Sequence, residues 1–450
     1  MNPLIASFIS LITLCITATA QPSVRWLPPE TFDTNKAGLG LPLLPGTEHQ
    51  IIYHPIQATP TPSAPLPLQA GMYNHHPEII VFRDKIIVTW TNHLQDENGP
   101  GQRMIAKVGT LNEDRTSVNW GGNETLITLA ESPIPMARRH EKHNATMIDG
   151  AYARGGLFVS SNKLFYGGKI LAYDGWTNDI AYHGRCSIPV PTAKYSDGRN
   201  RKTGMRFDIQ RDLGLHYYQS WTIEGSTIAP NSPIYTTKPL ASKIEVSTGR
   251  FKTVPPLAGS YQNPKSISDS NLNPTQLRHA IRTKRRIPNY RSGTSHLTKD
   301  GSSGLAHQTE FQRPDGSWVV IRDNLIKHGQ YYAASVSDKQ TPYPPAIRTN
   351  LFGDASPIAG ELPDGRVWIL GNDRERQHFY ITVSNDGYTF DRTWLVYQAA
   401  IHTYPGLGKS KTLSGPQYPH AVIVGDNLWI TYSIGKEMIG ITQIPIASLQ

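Results

Sequence analysis

The sequence predicts an all-β fold, a seven-bladed β-propeller, on three observations. Short apolar runs recur along most of the chain, separated by turns rich in Asp, Gly and Pro. A tryptophan follows four of those turns, at Trp90, Trp318, Trp368 and Trp429. The 450 residues include 35 Pro and 38 Gly, a Pro share above the roughly 5% norm that disfavours long helices.

The hairpins can be read in order. Residues 78–82 and 85–90 flank the Arg83-Asp84 turn. The layout returns as 308–312 and 318–322 around Pro314-Asp315-Gly316, and as 359–362 and 367–370 around Pro363-Asp364-Gly365. It returns again as 420–424 and 428–432 around Gly425-Asp426-Asn427. A third strand is expected after each, at 103–108, 331–336, 379–383 and 439–444. The last two Trp steps are 50 and 61 residues, and the gap from Trp90 to Trp318 holds roughly four more such steps. A small sheet cannot bury its own faces, so neighbouring blades must supply the second layer. A six-bladed ring is the alternative; a pair of β-sandwiches explains the spacing less well.

The ends of the chain read differently. Residues 4–16 are apolar but too short to span a bilayer comfortably, and Ala18-Thr19-Ala20 follows as a small-x-small cleavage pattern. Residues 1–20 are therefore expected to be a signal peptide, and the protein to be secreted. Residues 21–70 are Pro-rich, most densely at 59–67, and are expected to form an extended arm over a single propeller domain at 71–450. Removal of Cys15 leaves Cys186 alone, which excludes an internal disulfide and a cysteine-rich zinc site. The sequons at Asn123 and Asn144 could carry glycans in a eukaryotic host.

The formal charge is +9. Spread over so large a surface, it does not by itself imply nucleic acid, but it suits a cleft that attracts an acidic polymer. Residues 250–300 lose the strand pattern and carry a basic run from Arg278 to Arg291.

Two polar clusters could carry chemistry. The first is Tyr73-Asn74-His75-His76-Pro77, followed by Asn92-His93 at the end of the next strand and by Gln102-Arg103. Neighbouring residues of a regular strand face opposite ways, so one of His75 and His76 is expected to reach the site. The second cluster, 135–144, contains Arg138-Arg139-His140; it lacks an apolar period and reads as a loop. Arginine beside histidine suits a carboxylate ligand. No His-x-Glu-x-x-His or similar pair favours zinc.

These residues resemble a known family. The stretch 73–77, the hairpin to Trp90, Asn92-His93 and Gly101-Gln102-Arg103 look like the L-rhamnose-α-1,4-D-glucuronate lyases. Gly415-Pro416-Gln417-Tyr418-Pro419-His420 is similar too, and Ser384-Asn385-Asp386-Gly387-Tyr388-Thr389-Phe390 resembles the Asp-box turn of sialidase-type propellers. The resemblance implies a secreted polysaccharide lyase on a seven-bladed propeller, removing terminal rhamnose from glucuronate with a His acid/base. It places catalysis at His75 or His76, His93 and Arg139. Asn74, Asn92, Gln102, Arg103, Arg138 and His140 are expected to bind the substrate. Arg322, Asn372 and His420, on matching strands of later blades, form a second candidate group. No cofactor is expected, a structural Ca2+ being the one optional ion. The expected partner is an acidic plant or microbial polysaccharide, not nucleic acid or a membrane, and the protein is expected to be a monomer. The competing readings are a sialidase-like hydrolase, another exo-glycosidase or lyase, and a non-catalytic glycan-binding propeller.

Overall fold

The computed structural model describes residues 24–55, 71, 73–93, 103–121, 125–128, 134–140, 145–160, 162–177, 206–231, 235–236, 297–301, 304–338, 341–398 and 415–450. Among them there are strands and short 3-10 turns but no α-helix, and no helix long and apolar enough to cross a membrane. The fold is nearly all β. Five sheets of four or more strands follow one another along the chain, each antiparallel and mostly ordered as a meander. The expected count of seven blades, and the six-bladed alternative, turn in part on residues 237–296, which lie outside the described residues.

Each predicted hairpin is present, longer at its ends than the apolar run alone indicates. The Trp90 sheet pairs Tyr73–Phe82, Lys85–His93 and Arg103–Leu111, with Val118–Trp120 and Thr125–Thr128 outside. The Trp318 sheet runs Leu305–Gln312, Trp318–Asn324, Gln330–Val336, Ile347–Phe352. The Trp368 sheet runs Ile358–Glu361, Val367–Asn372, His378–Ser384, Arg392–Gln398. The Trp429 sheet holds Pro416–Val424, Asn427–Ile434 and Met438–Pro445. The turns are made as their residues dictate. Gly316 and Gly365 take φ of 87° and 89°, and Asp315 and Asp364 accept the backbone N–H two residues on. The Asp-box residues close their turn through Asp386, whose carboxylate accepts the N–H groups of Tyr388 and Thr389.

The core lies between sheets. In Val367-Trp368-Ile369-Leu370, Val367 and Ile369 pack with Val319, Ile321 and Tyr331 of the Trp318 sheet. Trp368 and Leu370 pack on the other side with Leu428, Ile430 and Tyr432 of the Trp429 sheet. Trp429 faces on to Ile79, Val88 and Trp90. The period-2 alternation therefore serves two neighbours instead of one core and one solvent face.

Two expectations are corrected. Part of the 21–70 segment is not an arm over the domain: Glu48–Tyr53 is the fourth strand of the Trp429 sheet, antiparallel to Met438–Pro445. Pairing the start of the chain with its last sheet covers an edge that would otherwise stay open. Further upstream the arm description fits better. Arg25–Trp26 pairs in parallel with Thr389–Phe390, and Trp26 fills a core pocket beside Tyr380. The Pro-dense stretch 59–67 lies outside the described residues. The second correction concerns 135–144. Ile134–His140 is a strand, paired with the 16-residue strand Ala145–Ser160 of a long sheet that continues through Lys163–Thr177 and Arg206–Glu224. Backbone pairing sets this strand, so an apolar period was not needed.

Ile52, 4% exposed, sits in the core with Ile79, Trp90 and Ile439. Ile52→Ala is expected to cost about 2–4 kcal/mol in urea unfolding. A cost near zero would mean that the strand adds nothing to the last sheet's core.

Candidate active site

Four inner strands meet around a cavity of about 790 Å³, lined among others by His76, Glu78, His307, Glu310, Tyr418 and His420. These residues come from Tyr73–Phe82, Leu305–Gln312 and Pro416–Val424; Ile358–Glu361 contributes Ile358 and Ala359.

Three of the inner strands are broken at the same level. The register with the second strand shifts between His75 and Glu78, between Leu305 and Gln308, and between Gln417 and His420. Such bulges re-aim side chains. His76 and Tyr418 both take a φ of 51°, in the left-handed region that bulky residues avoid, and each precedes a proline.

One of His75 and His76 reaches the cavity, as expected, but the bulge brings both rings against Tyr418. Their rings lie 4.2 Å apart, and both contact the Tyr418 ring, at 4.3 and 4.5 Å between centroids. His76 lines the cavity. His75 is fully buried behind it, with Nδ1 2.7 Å from Ser433 Oγ, a residue 358 positions away. The Tyr418 hydroxyl lies 2.9 Å from His307 Nε2, and His307 Nδ1 lies 2.7 Å from Asp323 Oδ2. A carboxylate can only accept, so Nδ1 carries the hydrogen of that bond. His307, Asp323 and Tyr418 had no place in the expected site. No local motif surrounds His307, and its partners arrive from the neighbouring strand and another sheet.

The other expected residues divide. His420 lines the cavity, and its Nδ1 accepts the Ile79 N–H at 3.2 Å. Arg322 is buried and donates to Ala306 O, at 3.1 Å, and to Gln308 Oε1, clasping the strand on both sides of His307. Asn372 is buried and donates to Pro416 O at 2.7 Å, two residues before Tyr418. Both hold bulged strands in place; neither lines the cavity. His93 and Arg103 sit on paired strands, opposite Tyr73 and Asn92 respectively. Arg138, Arg139 and His140 lie opposite Met147, Thr146 and Ala145. The side chains of these five residues, and all of Gln102, lie outside what is described.

Asn74 and Asn92 are not sugar ligands. Both are fully buried. Asn74 Nδ2 donates to Gly71 O and Glu437 O at 2.8 and 2.7 Å, and its Oδ1 accepts from Trp90 Nε1 and Asn92 Nδ2 at 2.8 and 2.6 Å. That is a lock between the first and last sheets.

Two more imidazole–carboxylate pairs stand near Asp323: His328–Asp354 at 2.6 Å and His378–Asp373 at 2.8 Å. Burial pushes the Asp354 carboxyl above its ordinary range, opposed by its hydrogen bond with His328. Burial likewise raises the Tyr331 phenol, whose hydroxyl donates to Ala355 O at 2.8 Å. Tyr331 is thereby a fixed structural donor. Among the described residues no group of three His, Cys, Asp or Glu is arranged to hold a metal ion.

Asn74→Ala would strand the buried Trp90 and Asn92 donors, each costing about 1–3 kcal/mol. A fall in the urea midpoint equivalent to roughly 3 kcal/mol is expected. A small stability loss with a large rise in KM would return Asn74 to the sugar site.

No protein-family description matches the chain, and no curated protein is similar to it. Among solved structures it is similar to a sialidase, with a TM-score of 0.59 and 17% identity over 94% of this chain and 35% of that one. It thus spans about a third of that sialidase's length. Trypanosoma rangeli sialidase is similar at a TM-score of 0.46 and 11% identity, over 91% of this chain and 61% of that one. At such identities the likeness is one of fold, and the fold is a sialidase-like propeller.

Proposed function

We propose that the chain is a secreted polysaccharide lyase that releases terminal L-rhamnose from α-1,4-linked D-glucuronate, as on arabinogalactan side chains of gum arabic. One observation carries the reading. The two stretches that resemble the rhamnose-glucuronate lyases, at 73–77 and 415–420, meet at one cavity and bring His76, Tyr418 and His420 to its wall.

The chemistry suits these groups. β-Elimination removes the proton on the carbon beside the uronate carboxylate. The C4–O bond then breaks, a C4–C5 double bond forms, and the leaving oxygen takes a proton. His76 is the base, since a neutral imidazole can accept that proton near neutral pH. His75 packs against its ring and fixes it. The substrate carboxylate must be neutralised for its neighbouring proton to become acidic. The reading gives that task to Arg139 or Arg138. An acidic polysaccharide is the fitting partner for a basic chain, and the apolar leader fits export.

A second reading has its own support. Glu78 and Glu310 line the same cavity, and a pair of carboxylates is the usual equipment of a glycosidase. Product analysis separates the two. Incubation with a rhamnosyl-glucuronide is expected to give an unsaturated uronate, absorbing in the ultraviolet and lighter by one water than the hydrolysis product. The saturated uronate would establish hydrolysis, and no product would leave a binding propeller. His76→Ala is expected to lower turnover about 10²–10⁴-fold, with a smaller effect on binding.

A further inference from the structure

We propose that Tyr418 is the proton donor to the leaving oxygen, and that His307 and Asp323 position it and replace its proton. This rests on the lyase reading above.

The geometry carries the assignment. Tyr418 lines the cavity beside the base His76, their rings in edge contact with centroids 4.5 Å apart. Its hydroxyl, His307 and Asp323 form a continuous chain with links of 2.9 and 2.7 Å, reaching from the Trp429 sheet into the Trp318 sheet. Asp323 is 1% exposed, and its Oδ1 is buried without a hydrogen-bond partner among the described residues. A ring that carries hydrogen on both nitrogens finds its counter-charge in that carboxylate. In that form Nε2–H donates to the phenol oxygen and leaves the phenol hydrogen directed at the cavity.

The step balances. The substrate C5 proton passes to His76, the C4–O pair leaves on oxygen, and that oxygen takes the Tyr418 hydrogen. Tyr418 takes the Nε2 hydrogen of His307, and exchange with water resets both imidazoles. The Arg376 guanidinium lies 5.6 Å from the Tyr418 ring centroid and donates to Gln417 Oε1 at 2.6 Å. A fixed cation there favours negative charge on the phenol oxygen as it gives up its proton.

Three buried phenols, Tyr331, Tyr380 and Tyr432, do not share this arrangement. Tyr331 donates to Ala355 O, Tyr380 to Phe352 O, and Tyr432 pairs with Thr442 Oγ1. Tyr418 is instead bonded to a titratable ring, at a left-handed backbone angle that bulky residues avoid.

The test compares two substrates: a rhamnosyl-glucuronide, and a glucuronide carrying 4-nitrophenol at O4 in place of rhamnose. The nitrophenolate leaves without a proton. Tyr418→Phe is expected to lose about 10²–10⁴-fold in turnover on the rhamnoside and to stay within a few-fold of the unaltered chain on the aryl ether. His307→Gln and Asp323→Asn should show smaller losses on the rhamnoside, with the same rescue; a merely structural role would depress both substrates alike. His76→Ala should fail on both. Normal turnover of the rhamnoside by Tyr418→Phe, or equal losses on both substrates, overturns the assignment while the lyase reading stands. Absence of unsaturated product with the unaltered chain removes that reading, and this assignment with it. Asp323→Asn carries the same comparison if Tyr418→Phe does not fold.

Discussion

The Trp368 sheet must cover two apolar faces, and much of the architecture follows from that requirement. Consecutive residues 367–370 are all nearly inaccessible, yet they belong alternately to two different inter-sheet cores. No sheet with that composition is stable beside a single neighbour, so the sheets succeed one another around an axis. Their first strands are thereby left facing each other with unpaired edges. Side chains on those strands satisfy part of the edge: His420 accepts the Ile79 N–H, and Thr309 Oγ1 accepts the Ala359 N–H at 2.9 Å. Polar residues at the axis are therefore required by the architecture before any substrate is considered, and His420, which also lines the cavity, is one of them.

That requirement explains what was legible in the sequence. The hairpins were, because turn residues such as Asp315-Gly316 and Asp364-Gly365 impose their geometry locally. The tryptophans were, because they mark strands buried on both sides. Glu48–Tyr53 was not: it has only a short apolar run, and its partner lies at the far end of the chain. Within the candidate site, the sequence pointed to the His75-His76 and Gln417–His420 stretches through their motif resemblance. It could not show that a bulge turns both histidines toward one tyrosine. It could not show His307, a lone imidazole whose role depends on Asp323 and Tyr418. Asn74 was misread for a related reason: a polar residue in a polar cluster suggests solvent or ligand, whereas here its amide is consumed by four buried partners.

The bulges raise a problem of their own. Each leaves a residue without its ladder partner, in a part of the molecule where an unpaired N–H is costly. Two of the three strands solve it with proline. Pro77 and Pro419 are buried and directly follow His76 and Tyr418. Proline has no N–H, so the donor that the bulge would orphan does not exist. The same ring restricts the preceding residue and adds to the strain of its left-handed angle. Strain is thus accepted at His76 and Tyr418 in exchange for a backbone with one donor fewer to satisfy. Leu305–Gln312 has no proline at its bulge. There Arg322 serves the acceptor side of the broken ladder, donating to Ala306 O on one side of His307 and to the Gln308 side-chain oxygen on the other. Two different devices fix three side chains at one level of the axis, and those three are the imidazole and phenol groups that meet at the cavity.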